Sequence, residues 1–127
     1  MDSCKTFHYI ESMTGPLVFG GNIMLNDLKV LIQSNELEKA HLLATDLLEK
    51  HPHHPELNLL IASIYDGQGD ERAAIPFYEH AIKHGLEGNK RTEAFIQLGS
   101  SYRCVGKYKE AENVLTQGLK HILIMQH

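Results

Sequence analysis

Histidine is the residue type in this chain with the most chemical potential, since nine of the 127 residues are histidines. Imidazole titrates near neutral pH and ligates first-row metals. His51, His53 and His54 cluster around Pro52 and Pro55, while His80 and His84 stand four apart, a spacing that places two imidazoles on one helix face. Two histidines alone make a weak site, because a structural zinc takes four ligands and a catalytic zinc three plus water. No HExxH, CxxC or acidic loop completes either set. The expected reading is therefore a histidine-rich loop and a solvated helix face, with no metal and no cofactor. The alternative is a metal-binding protein or metal-assisted enzyme using His51, His53 and His54 or the pair His80 and His84. Cys104 follows Arg103, a neighbour that can lower a thiol pKa. Its register near a helix end predicts a half-buried structural thiol instead.

Other reaction chemistry lacks a foothold. There is no GxGxxG, no GxxxxGK[ST] and no GxSxG, and no strand pattern to carry one. The chain is expected not to be an enzyme. A net charge of −4 gives no general basic surface for counterion release, which disfavours nucleic acid as a partner. The two cysteines, Cys4 and Cys104, are far apart and form no redox or metal spacing, so a reducing cytoplasm is the expected location. Residues 119–125, LKHILIM, are apolar but well short of the roughly 20 residues a membrane span needs. The N-terminus carries no signal-peptide core.

The elements that position these residues follow from self-similarity. The segments NELEKAHLLATDLLEKHP, GDERAAIPFYEHAIKHG and GKYKEAENVLTQGLKHI superimpose without gaps, bringing Ala40, Ala74 and Ala111 into register at separations of 34 and 37 residues. Upstream of each lies a second periodic segment, NIMLNDLKVLIQ, ELNLLIASIYDG and TEAFIQLGSSYRCV. In the middle one, Leu57, Leu60, Ile61, Ile64 and Tyr65 recur at the three-and-four spacing of one helical face. Ser34-Asn35, Gly67-Gln68-Gly69-Asp70 and Gly106-Lys107 predict turns between antiparallel helices. Asn35 with Glu38 has the form of a capping box, Asp70 predicts a second N-cap, and Pro52 and Gly85 mark helix ends. Six helices of roughly 11 to 17 residues are expected, within the usual range.

Ala62, Tyr65, Gly69, Ala74, Tyr78 and Ala81, and then Gly99, Tyr102, Gly106, Ala111, Leu115 and Gly118, stand where the tetratricopeptide repeat carries its signature small and aromatic residues. The chain resembles that family over about residues 21–125. A first repeat through Leu28, Leu31, Asn35, Ala40, Ala44 and Leu47 is degenerate but keeps the closing Pro52. The second half is similar to a bacterial tetratricopeptide group with a longer second repeat. The resemblance implies an all-α, right-handed superhelical stack of three helix-turn-helix units at about 21–54, 55–91 and 92–125, in a repeat domain covering 21–127. Residues 1–20 then form an N-terminal extension, partly ordered or disordered, with Phe7, Tyr9, Ile10, Leu17, Val18 and Phe19 available as a cap.

The same resemblance implies a protein-interaction module whose first helices line a concave groove that takes a peptide or partner protein. Counting by the period puts Leu25, Leu59 and Ile96 in one row, then Lys29, Ser63 and Ser100, then Ile32, Asp66 and Arg103. The groove is expected to be an apolar row edged by mixed polar groups, suited to a segment with apolar anchors. The carboxylate-clamping subclass is not expected, since only Lys29 fits and Glu93 would repel the ligand. The stack also ends without an evident polar capping helix, and Val114, Leu115, Leu119, Ile122, Leu123, Ile124 and Met125 predict self-association at that end.

Overall fold

The structure, a computed structural model, describes the backbone of residues 25–125 and the side chains of 25–124. The expected N-terminal extension lies outside the described residues. Six helices follow one another: α1 (Leu25–Gln33), α2 (Leu37–Lys50), α3 (Pro55–Gly67), α4 (Glu71–Lys83), α5 (Gly88–Cys104) and α6 (Tyr108–Met125). No strand occurs among the described residues. Helices α1·α2, α3·α4 and α5·α6 pair as hairpins, and α2·α3 and α4·α5 join successive hairpins into a stack. At 9 and 18 residues, α1 and α6 fall outside the expected length range at either end.

The turns explain where the helices stop. At Gly69 and Gly106 the backbone enters the left-handed region, with φ of 79° and 85°. The next amide then reaches back five residues, Asp70 N–H to Tyr65 O at 2.9 Å and Lys107 N–H to Tyr102 O at 2.8 Å. Each bond satisfies a carbonyl that the helix end would leave unpaired. Asn35 does the same work in the first hairpin at φ 61°, and Glu36 N–H bonds Leu31 O at 2.9 Å. This corrects the capping-box expectation: Glu36 is the N-cap of α2 and makes no side-chain cap bond, because Asn35 closes α1 instead. Asp70 is the predicted cap, accepting from Ala73 N–H at 3.1 Å. His54 caps α3 without having been expected to, its Nδ1 accepting from Leu57 N–H at 3.2 Å.

The core runs the length of the stack. Nine of the thirteen α3 residues are buried, so this helix is covered well beyond the one face its apolar spacing implies. The cause is its central place, with α1, α2 and α4 all packed on it. Leu28, Leu57, Leu60, Ile64 and Tyr78 are fully buried, each worth about 1.5–3 kcal/mol relative to exposure. The register alanines Ala40, Ala74 and Ala111 are buried where helices meet, as are Ala62 and Ala81. In the third hairpin glycine takes over. A Cβ on Gly99 would lie 2.4 Å from Leu115 Cγ, and one on Gly118 would lie 2.9 Å from Phe95 Cβ. The small signature residues are therefore the contact points that set how closely α5 and α6 approach.

Candidate functional site

The first helices of the three hairpins carry the expected groove rows, and the structure divides those rows by depth. Leu59, Ser63 and Asp66 of α3 are buried at 1 %, 1 % and 6 % exposure. Leu59 belongs to the core, and Ser63 Oγ donates to Leu60 O at 2.7 Å. Asp66 accepts a hydrogen bond from the buried hydroxyl of Tyr78. In α1, Ile32 is in the core, Lys29 is buried and Leu25 is half-buried. Only α5 presents the rows outward: Ile96 is 42 % exposed, Ser100 is half-buried and Arg103 is exposed.

Lys29 has a partner that the sequence reading did not find. Its Nζ lies 3.0 Å from Glu56 Oε2, and Lys90 Nζ approaches the same oxygen at 3.5 Å. One carboxylate at the start of α3 thus joins α1, α3 and α5. Burial pushes the Glu56 carboxyl upward, but the bonds and charges of Lys29 and Lys90 outweigh it and leave the pKa below its ordinary value. Lys29 is committed to this pair, which leaves no cation of the first repeat's row open to an acidic ligand. Glu56 was legible only as a first-turn acid after Pro55; that it meets two lysines depends on the stacking of three helices.

Two of the signature tyrosines, Tyr65 and Tyr102, hold successive hairpins together. Tyr65 meets His41 of α2 at 3.3 Å between Oη and Nε2, edge to face, and stacks on Phe77. Tyr102, one repeat further on, donates to Glu79 of α4. Desolvation, followed by that carboxylate, raises the Tyr102 pKa. Arg91 bonds the carbonyls of Ile82 and Leu86 at 3.1 and 3.2 Å and covers the Phe95 ring at 5.2 Å.

The histidines fall into a different grouping from the two read in the sequence. His54 faces inward as the α3 cap, and burial lowers its pKa below the usual imidazole value. His53 instead crosses to α4, where it meets both His80 and His84. His84 is held below the ordinary range by desolvation and then by the neighbouring His80, His53 and Lys83. Beside His80 is a cavity of about 230 Å³ lined by Leu48, Pro52, Asn58, Pro76 and Phe77. Cys104 is half-buried at the end of α5 as expected, but it is not a free thiol, which corrects the structural-thiol expectation and leaves the reactive-thiol alternative without support.

Paired antiparallel helices of similar register, small residues at the crossings and tyrosines tying each pair to the one before define a helical hairpin-repeat protein. Residues 55–122 match the family model described as tetratrico peptide repeat, a span of more than half the chain that takes in the second and third hairpins. The chain belongs to the tetratricopeptide repeat family, whose repeats mediate protein–protein contact. The first hairpin lies outside the match, in keeping with its degenerate signature, and its helices meet less extensively than those of the other two, although α2 still packs on α3. No curated protein matches the chain. No described helix is long and apolar enough to cross a membrane.

Proposed function

We propose that this chain is a non-catalytic docking module that receives a peptide or partner protein along the face of its first helices, with the third repeat as the point of engagement. The carrying observation is Ile96, a large apolar side chain left 42 % exposed on α5 between neighbours of the core. Ser100 and Arg103 follow it at intervals of four and three, one face of the helix. An apolar anchor beside a hydroxyl and an exposed guanidinium suits a segment carrying one apolar side chain and an acidic group. On this reading Leu59, Ser63 and Asp66, and Leu25, Lys29 and Ile32, are the corresponding but more covered positions of the second and first repeats. Nucleic acid is a poor fit to a net charge of −4.

The test compares partner retention by the wild type and by an Ile96→Glu, Arg103→Glu double variant of equal helicity. Loss of a retained protein in the variant supports the face; equal retention by both counts against it. The outer residues Ile96 and Arg103 are the proper targets, since changing Asp66 would strand the buried Tyr78 hydroxyl. We further propose that α6 meets a second copy of the chain, through Leu119, Leu123 and Ile124 at 57, 51 and 72 % exposure. A concentration-independent monomer mass by light scattering would refute this second contact.

A further inference from the structure

We propose that His53, His80 and His84 form a binding site for one divalent first-row metal ion of the zinc type, which would staple the loop between the first two repeats to α4. One nitrogen from each ring lies within 4.8 Å of the other two. His53 Nδ1 and His80 Nε2 are already 3.0 Å apart, and the rings of His80 and His84 are centred 4.2 Å apart. Ligands at about 2.0–2.1 Å in a tetrahedral shell stand roughly 3.3 Å from one another, so modest ring rotation closes the set.

The frame that holds the three rings is independent of any metal. His80 and His84 occupy successive turns of α4, which is helical from Glu71 to Lys83 with His84 as its C-cap. The loop bearing His53 is held on both sides by Asn58, whose Nδ2 donates to Pro52 O at 3.2 Å and to His54 O at 2.9 Å. His54 is fixed in turn by the Leu57 amide. The three imidazoles therefore converge from two rigid supports, the kind of preorganisation a metal site requires.

The ligand set also selects the ion. Three imidazoles without a carboxylate suit zinc, copper or nickel and offer nothing to calcium or magnesium, which take oxygen ligands. Three protein ligands leave one tetrahedral position for water or a partner's side chain. Neutral ligands leave the ion's charge uncompensated, and Lys83 acts on His84 with the same sign. Binding therefore rests on imidazole donation alone. Its consequence is mechanical: residues 51–54 and α4 belong to different repeats, and a bound ion fixes the angle between them.

The experiment is calorimetric titration of zinc chloride into the metal-free full chain near neutral pH, beside His53→Asn and His84→Asn, with His41→Asn and His121→Asn as controls. The wild type should take one zinc per chain and melt at a higher temperature when loaded. Each triad variant should bind at least about tenfold more weakly and lose most of that melting shift, while both controls bind as the wild type does. His53 is exposed, so its variant should keep full helicity by circular dichroism, and its loss of binding would not reflect unfolding. Absence of saturable binding by the wild type, or binding by the triad variants equal to that of the controls, would overturn the proposal.

Discussion

The approach of α5 and α6 gives the sharpest test of how the signature residues act. Replacing Gly99 by alanine has two opposed effects. In a helix interior the change should stabilise by about 0.8–1 kcal/mol through backbone entropy. Against this, the new Cβ would stand 2.4 Å from Leu115 Cγ and 2.6 Å from its Cδ2, whereas ordinary contact begins at 3.4 Å. An overlap of that size forces a rotamer change or a helix displacement, costing about 1–3 kcal/mol. Gly99→Ala is thus expected to be neutral or destabilising by up to about 2 kcal/mol in the wild-type background. In a Leu115→Ala background, which removes the obstructing atoms, the same change should turn stabilising by up to about 1 kcal/mol. Urea denaturation of the four proteins measures the coupling directly, expected at about 1–3 kcal/mol. A coupling within the usual additivity error of about 0.3–0.5 kcal/mol would refute the claim that the Gly99–Leu115 contact sets the helix spacing.

Two further predictions concern the polar contacts. Glu56→Gln leaves the buried Lys29 ammonium without its counter-charge and should cost about 1–3 kcal/mol, whereas Lys29→Met, which removes the stranded charge, should cost less; chemical denaturation of both variants decides this. Because the folded Glu56 pKa lies below its ordinary 4.5, the stability it contributes is complete above pH 4.5 and is lost as pH falls through the folded value, a loss Glu56→Gln should abolish. His54 titrates in a higher window. Its folded pKa is below the ordinary 6.5, so its contribution is complete above pH 6.5 and declines as pH falls from there to the folded value, where protonation removes the acceptor for Leu57 N–H. His54→Asn supplies a cap that does not titrate, and the midpoint of urea unfolding should fall less between pH 7 and 5 than in the wild type; an unchanged slope would remove His54 as its source.

The sequence by itself determined the number of helices, their pairing and the family. Turn residues, apolar spacing and the recurring small positions act locally or repeat at a fixed period, so Gly69, Asp70, Ala74 and Gly106 announce their roles without any distant partner. Asn35 shows where local reading stops. Its residue type suits either the start of one helix or the end of another, and the left-handed backbone at the turn decided for the end of α1. Register assigned Leu25, Leu59 and Ile96 to one row but could not say that Leu59 is in the core while Ile96 is exposed, because depth depends on how many neighbours cover each helix. Glu56 met Lys29 and Lys90, and His53 met His80 and His84, across separations of 27 to 34 residues. Such meetings follow from the way α2 packs on α3 and α4 on α5 when successive hairpins stack, which no local pattern encodes. Periodicity carries the helix faces; only the packed stack decides which side chains from different repeats share a site.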